Sequence, residues 1–437
     1  MSPAFAVSGF QMIFLSTGRL ASAFRKLIFI GLAGILAAVL NPVLAQDHHD
    51  AEVLETDADL TLAALLAATL ARHPQAGVLA AQAATGEAES RYARRWLPDT
   101  AGLNGYHMSD KAFDDTGAYE NQVALTFPLW LPGEKSAQTR LGEAMTIAQV
   151  SGEEELRWLV SGQVRRLLWQ LEAARRQWQL ALEQEQRLSE VMAQVTLFTE
   201  SGEFSRADQL ATMEELATWK GETMLLEAEY MDAMRSYRSF TGQDAIPANI
   251  LENLSEVQEI GEDHPALRRA MDRLAAKSAA TDVARERSNS RPSVDVFWRD
   301  FRGDRYAPVI DSLGIGFAIP LGKSPRREPE VARAFEEVAG AEADLFETKR
   351  TLELQLHEAS HMLHTTRERL ENAATLVEAA NERHRLDRLA FELGEFSTQE
   401  WLRRLSRFKE IERSHELLLI QQGAAIAAYN QAVGETL

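Results

Sequence analysis

The sequence Gly-Glu-Phe-Ser occurs twice in this chain, at residues 202–205 and 394–397. The two occurrences lie 192 positions apart, and the same offset relates Pro128 to Pro320. An offset that is kept along so much of a chain indicates an internal duplication, in which each copy is one structural unit. The sequence therefore predicts two copies of one fold rather than two unrelated domains.

The N-terminal residues have the pattern of a secretory signal peptide. Arg25 and Lys26 precede an apolar run at 27–40, and Val43-Leu44-Ala45 supplies small residues for cleavage. Together with the duplication, this pattern divides the chain into five segments. They are a signal peptide at 1–45, a flexible mature N-terminus at 46–59, the first repeat at 60–243, a linker at 244–261 and the second repeat at 262–437.

Composition excludes several classes of protein. The formal net charge is −19, which argues against nucleic acid as a partner. The chain has no cysteine, so neither disulfides nor a lipid-modified cysteine can stabilise or anchor it. Beyond the N-terminus there is no uncharged apolar run of 18 residues, so a helical membrane protein is not expected.

Each repeat contains one very long predicted helix, at about 134–200 and about 327–393. Apolar residues recur at alternating steps of four and three along both helices, which is the pattern of a coiled-coil seam. At 1.5 Å per residue, each helix is a rod of about 100 Å. A helix of about 27 residues before the strands and one of about 37 residues after the turn, laid end to end, match the long helix. The seam residues are Val160, Val164, Leu167, Leu171, Trp178, Ala181, Glu185 and Leu188 in the first repeat, and Leu352, Leu356, Ala359, Leu363, Leu370, Ala373, Val377 and Ala380 in the second.

Two strands per repeat are predicted near the other end of each rod. Large apolar residues alternate there with small or polar ones, which is typical of a lipid-facing barrel strand and equally of a half-buried strand in a soluble sheet. Four strands are too few to close a barrel, and open edges in lipid are not viable, so several chains would have to share one barrel. The predicted outward residues are Val123, Leu125, Phe127, Val294, Val296, Trp298, Leu313, Ile315, Phe317 and Ile319.

The Gly-Glu-Phe-Ser segments are predicted to be tight turns between long helices. Glycine can adopt the positive φ with which helices commonly end, and the serine can cap the following helix. An acidic residue three positions later then completes a capping-box-like start. The equivalent residues are Gly202, Glu203, Phe204, Ser205 and Asp208 in the first repeat, and Gly394, Glu395, Phe396, Ser397 and Glu400 in the second. The turn does not itself require the shared Glu-Phe, which indicates two similar contacts per chain with a partner.

These features together resemble the outer-membrane efflux protein family, the TolC-like channels, and within it the subgroup that exports cations and heavy metals. The resemblance also rests on His73-Pro74, His264-Pro265, Phe127-Pro128-Leu129 and Ile319-Pro320-Leu321. It implies a mainly α chain that forms a homotrimer. Three chains would build a 12-stranded outer-membrane β-barrel that continues into a periplasmic α-barrel. The turns would then meet a periplasmic adaptor that belongs to an inner-membrane pump, and no cofactor is expected.

One motif points to different chemistry. His357-Glu358-Ala359-Ser360-His361 fits the zinc-protease signature, with His364 one turn further on. The heptad register places these imidazoles away from the seam, and the first repeat has Arg165, Trp169 and Glu172 instead. The sequence favours a solvated face here over an enzyme, with a weak cation contact as the remaining alternative.

The predicted function is a passive exit duct in the outer membrane, with metal cations as the substrate class. Two other functions stay open from the sequence. One is the duct of a protein-secretion or drug-efflux system, which has the same fold. The other is a periplasmic coiled-coil scaffold without a channel.

Overall fold

The computed structural model describes residues 54–287, 290–322 and 324–437. The predicted signal peptide and most of the predicted flexible N-terminus lie outside these residues. Within them, no helix combines the length and the mean hydropathy that a membrane-spanning helix needs.

The chain is mainly helical, as the sequence predicts. Seven helices are described, and the two longest agree with the predicted bounds within two residues. They are α1 (Leu62–Arg72), α2 (Pro74–Ala93), α3 (Glu134–Glu200), α4 (Arg206–Thr241), α5 (Pro265–Glu286), α6 (Glu328–Glu392) and α7 (Thr398–Ala432), with a 3₁₀ turn at Pro325–Arg327. The order of a shorter helix, two strands, a long helix and a returning helix recurs in both halves.

Six strands are described, in two sheets. Four of them form an antiparallel sheet in the order β2-β3-β5-β6, and the other two form a short parallel pair. The strands are β1 (Glu55–Asp57), β2 (Gly102–Ser109), β3 (Tyr119–Pro128), β4 (Ala245–Pro247), β5 (Ser293–Arg302) and β6 (Ile310–Ala318). Ile319, predicted within a membrane strand, follows the end of β6 by one residue, because Ala318 is the last residue that pairs with β5.

Two further predictions differ from the structure. The helix before the first strands is α2, with 20 residues rather than about 27, and it ends before Pro98, which cannot continue a helix. The N-terminus at 46–59 is not flexible throughout, because Glu55–Asp57 pairs with Ala245–Pro247. This pairing also gives the linker a strand.

The predicted heptad seams are the packed faces of the long helices. In α6, Leu352, Ala359 and Leu363 are buried, and the first-repeat seam contains Val164 with no exposed surface. Burial of such side chains contributes roughly 1.5–3 kcal/mol each relative to exposure. Helix packing along the seams therefore explains how a chain without disulfides holds helices of this length.

The two repeats form one helical layer rather than two separate rods. Besides α2 and α4 of its own repeat, α3 packs against α5 and α7 of the second repeat. Trp158 on α3 makes contacts with the second repeat. Its ring belongs to a cluster with Leu267 on α5 and Leu352 on α6. Its indole N–H donates to the Gln431 carbonyl of α7 at 2.8 Å. Each repeat thus forms the two-stranded rod that the helix lengths indicate, with α3 against α2 and α4 and with α6 against α5 and α7, and the two rods are packed side by side through α3.

Both His-Pro pairs begin a helix. His73 Nδ1 accepts the backbone N–H of Gln75, His264 Nδ1 accepts that of Ala266, and a proline occupies the first helical position. Proline there loses no hydrogen bond, because that N–H has no partner in a helix. Each His-Pro pair thus caps a helix. The cap requires a neutral imidazole, because Nδ1 must accept a hydrogen bond.

His264 should make the stability of the fold pH-dependent. Its side chain is 2% exposed, and burial lowers the pKa of this imidazole below its ordinary value of 6.5. Since the neutral form is the one favoured in the folded state, its contribution is complete above pH 6.5 and is lost as the pH falls through the lowered pKa. We expect His264→Asn, which caps at any pH, to reduce the fall of the melting temperature on acidification. An unchanged pH profile of the melting temperature would contradict this role.

Candidate functional site: the hairpin tips and the strand face

The first Gly-Glu-Phe-Ser segment ends α3 in a Schellman motif. Gly202 has a φ of 85°, which favours glycine. Its N–H donates to the Thr199 carbonyl at 3.2 Å, and the Glu203 N–H donates to the Phe198 carbonyl at 2.8 Å. The chain can therefore reverse at the end of a helix of 67 residues while its last carbonyls remain bonded.

The second segment ends α6 in the same way. Gly394 has a φ of 76°, its N–H donates to the Phe391 carbonyl at 3.0 Å, and the Glu395 N–H donates to the Ala390 carbonyl at 2.9 Å. Each chain thus presents two hairpin tips with one backbone geometry. We call 198–208 the first tip and 390–404 the second tip.

The serines cap the returning helices, but the two caps differ. Ser205 and Asp208 form the expected capping box, in which the serine oxygen accepts the Asp208 N–H and the carboxylate accepts the Ser205 N–H. Ser397 likewise accepts the Glu400 N–H. The Glu400 carboxylate, however, accepts hydrogen bonds from Arg403 and Arg404, which hold its pKa at about 2. The capping box predicted at the second tip is therefore only half formed.

The packing behind the two tips differs as well. At the first tip, Phe198 and Phe204 pack with ring centroids 5.2 Å apart, and the seam contains buried Val195 and Thr212. The residues at the same offset in the second repeat are Asp387 and Arg404, which form an ion pair at 2.6 Å. The turn geometry was predictable from the sequence, but this exchange of an uncharged layer for an ionic one was not.

Arg404 is the centre of the second tip. Besides Asp387 and Glu400, it contacts the ring of Phe396, whose centroid lies 4.2 Å from the guanidinium carbon. Phe396 is thus held by its own hairpin, whereas Glu395 is exposed in this single chain. At the first tip Glu203 is exposed too, and its carboxylate accepts only the Ser201 hydroxyl, at 3.2 Å. Both shared glutamates are therefore open to a partner in the single chain.

At the opposite end, the four-stranded sheet has one apolar face. The register aligns the predicted outward residues in cross-strand rows, and residues paired in this way point to the same face of a sheet. The rows are Leu125, Val296 and Ile315; then Val123, Trp298 and Leu313; then Phe127, Val294 and Phe317. Leu103 of β2, which was not predicted, extends the first row. On β6 the exposed fractions of Leu313, Ile315 and Phe317 are 80%, 75% and 76%. A half-buried strand of a soluble sheet would cover such residues, and nothing in the described chain does.

The other face of this sheet carries mainly polar and small residues, with Phe297 as an aromatic exception. Asn104 donates to Thr126 across the first strand pair at 2.7 Å, and Gly314 leaves the room that the ring of Phe297 occupies. Alternation of apolar and polar faces along every strand is the pattern of a barrel wall with a wet interior.

A buried carboxylate joins the sheet to the helices, and the sequence alone gave no indication of it. Glu134, the first residue of α3, is completely buried and pairs with Arg287 at 3.0 Å and Arg291 at 2.5 Å. Burial by itself would raise the pKa of Glu134, but hydrogen bonds from Arg291 and from the Leu131 N–H outweigh it and hold the pKa below its ordinary value. The pairs connect residues of the two repeats.

The histidines of the protease-like motif lie on an open surface. His357, His361 and His364 are all exposed on α6, and His364 pairs with Glu368 at 3.3 Å. Among the described residues, no group of three or more histidine, aspartate or glutamate side chains is placed to hold one metal ion. In the described part of the chain, no further ligand from a separate segment joins these imidazoles, as a zinc protease requires.

Comparisons with solved structures identify the fold. The outer membrane protein VceC from Vibrio cholerae is 12% identical over 86% of this chain and 96% of its own, with a TM-score of 0.69. The outer-membrane channel OprN is 17% identical over 87% and 94%, with a TM-score of 0.66. This chain has the fold of the outer-membrane channels. A membrane protein from Pseudomonas aeruginosa is also similar, with 18% identity over 85% of this chain and 93% of that one and a TM-score of 0.66.

The TolC-like fold predicted from the sequence is thus confirmed. At these identities the likeness concerns the fold. No model of a known protein family matches the sequence, and a comparison with curated proteins gives no significant match.

Proposed function

We propose that this chain is an outer-membrane exit duct of a tripartite efflux system. Three copies would close a 12-stranded β-barrel in the outer membrane, and their long helices would form an α-barrel in the periplasm. The observation that supports this most directly is the four-stranded sheet with one exposed apolar face, whose two edges, β2 and β6, are unpaired within the described residues. In lipid such edges must be paired, and other copies of the sheet would supply the partners.

The mechanism is passive conduction through a water-filled path. The polar face of the sheet and the acidic balance of the chain would favour cations through their summed field, without a discrete binding site. Metal cations are therefore the substrate class that we propose. The duct of a drug-efflux or protein-secretion system is the alternative with the same fold.

Oligomeric mass and conductance test the duct. We expect the detergent-solubilised protein to have the mass of three chains and to give discrete single-channel currents in a planar bilayer. A soluble monomer or trimer without channel activity would instead support the periplasmic scaffold, which has no use for an exposed apolar sheet.

The tips are proposed to bind the hairpins of a periplasmic adaptor, two per chain and six around a trimer. We expect Glu203→Lys combined with Glu395→Lys to abolish efflux-dependent growth at raised zinc or cobalt concentrations, because both side chains are exposed and neither holds its turn. Gly202→Pro or Gly394→Pro should do the same by removing the N–H that closes the Schellman motif and excluding positive φ.

Charge reversal away from the tips serves as the control. Glu190→Lys and Glu410→Lys change the same charge at exposed sites on α3 and α7, and should leave growth and trimer mass unchanged. If the tip variants exported normally with unchanged conductance, the docking role of the tips would be wrong while the duct itself would stand.

A further inference from the structure

His357 and His361 are two unengaged imidazoles one helical turn apart. Neither makes a hydrogen bond or ion pair in the described chain, whereas His364 is paired with Glu368. The segment 351–366 contains Glu353 and Glu358 but no lysine or arginine. Histidines four residues apart on one helix face are a common pair of ligands for transition metals. One chain alone supplies too few donors for a closed site.

The duplication shows what should cover this face of α6. The residues at the same offset on α3 are Arg165 and Trp169, which are only 4% and 8% exposed. Arg165 Nη1 donates to Gln431 Oε1 of α7 at 2.6 Å, and the ring of Trp169 lies against Gly423 of α7. In the first repeat, the equivalent face of α3 thus packs on α7, the returning helix of the second repeat. In the second repeat, the same face of α6 carries the histidines.

Applying the offset to α7 identifies the missing partner element. Gly423 and Gln431 correspond to Met231 and Ser239 of α4. In the single chain, α4 has an exposed face next to these residues that includes Met224, Ala228, Asp232, Ser236 and Ser239. Within one chain, α6 does not reach this face, because α3 and α7 lie between them. A second copy of the chain can place its α4 face against α6 if the alternating repeats continue around a closed ring of chains.

A carboxylate then faces the imidazoles. Ala424 and Ala428 line, together with Arg165 and Trp169, one groove of about 830 Å³ between α3, α6 and α7. Their counterparts on α4 are Asp232 and Ser236. Asp232 has no ion-pair partner in the described chain, and Glu229 and Arg235 are exposed on the same side of α4. The equivalent groove between copies would therefore contain His357, His361 and Asp232 of the partner subunit.

We propose that His357 and His361 together with Asp232 of the partner subunit form an intersubunit site for a divalent transition metal ion. Two imidazoles and one carboxylate, completed by water, suit Zn²⁺, Co²⁺ or Ni²⁺ rather than Mg²⁺ or Ca²⁺. The site is incomplete in one chain, which agrees with the lack of a three-ligand group there. The inference rests on the homotrimer of the proposed function, but it concerns a resident ion and not the transported substrate.

The packing can be tested first, because the chain has no cysteine. We expect His361→Cys combined with Met231→Cys to give covalent trimers with a short bismaleimide reagent. Each single variant should give none. Absence of cross-linked species from a protein whose trimer mass is intact would overturn the proposed interface while leaving the duct unaffected. A wild-type protein that is not trimeric would instead count against the proposed function.

Metal binding is tested on the untagged trimer by calorimetric titration with Zn²⁺. We expect three ions per trimer, and at least a tenfold loss of affinity in His357→Ala/His361→Ala and in Asp232→Asn. His415→Ala, on α7, is the matched control and should bind as the wild type does. Acidification should also weaken binding, because only neutral imidazole coordinates a metal.

A spectroscopic signature separates the site from loose surface binding. The electron paramagnetic resonance spectrum of the Cu²⁺-loaded trimer should show two coupled nitrogens, which disappear in the double histidine variant. Unchanged Zn²⁺ affinity in that variant would overturn the site. Unchanged affinity in Asp232→Asn alone would overturn its intersubunit composition.

Discussion

Replacement of Glu134 by leucine is expected to lower the free energy of unfolding by about 3 kcal/mol, the lower end of the range for breaking a buried ion pair, because it leaves two partly buried guanidinium groups without their counter-charge. Arg287 and Arg291 have side-chain exposures of 32% and 21%, and both donate to the same Glu134 oxygen. Urea unfolding of the detergent-solubilised protein, followed by circular dichroism, measures the change. The effect should be large because this cluster connects the start of α3 to the segment before β5.

Acid should act in the same direction as the substitution. Because the pKa of Glu134 is lowered in the folded state, its contribution is complete above its ordinary pKa of 4.5 and is lost as the pH falls through the lowered value. Glu153→Gln on the same helix is the control. Its carboxylate is exposed and accepts only from Gln149, so a change within about 0.5 kcal/mol is expected. Equal effects of the two substitutions would refute the structural role of Glu134.

Replacement of Gly423 by leucine is expected to cost about 3 kcal/mol, near the upper end of the usual range for overpacking. A Cβ at this position would lie 2.0 Å from the ring of Trp169, which is 8% exposed, so the indole would have to leave the contact between α3 and α7. The melting temperature should fall, and the near-ultraviolet circular dichroism of the buried indole should change.

Gly221 on α4 offers the matched control. A Cβ there meets nothing within 4 Å, so Gly221→Ala should stabilise the helix by about 0.5–1 kcal/mol. Opposite signs for the two glycine substitutions are the expected result. Destabilisation by Gly221→Ala together with a neutral Gly423→Leu would show that the described contact between α3 and α7 is wrong.

The bounds of the long helices and the positions of the turns could be predicted because their signals are local. An apolar residue at every third or fourth position specifies a helix and its buried face, and Gly202 or Gly394 followed by a capping serine specifies where the chain reverses. The alternation along β6 predicted its outward residues for the same reason. Ile319 was misplaced because a strand end depends on the pairing of its neighbour.

The candidate site was less accessible to sequence reasoning. The tips share a motif, yet Arg404 binds Glu400 and Asp387 at the second tip, whereas the equivalent layer of the first tip is uncharged. No local pattern distinguishes a capping glutamate from one that is paired with arginine. Glu134 and Arg291 are 157 positions apart, so their ion pair had no sequence signature. Pairs of this kind depend on which helices become neighbours.

The sequence by itself determined the duplication, the helix and strand types and the reversal points, since each follows from the chemistry of residues within a few turns of one another. Only the tertiary structure decided that α3 packs against α5 and α7 of the other repeat. It also decided that equivalent faces of the two long helices differ in burial. Arg165 and Trp169 are covered, whereas His357 and His361 are open. Burial depends on which elements lie alongside, and that is a property of the assembled chain rather than of either repeat.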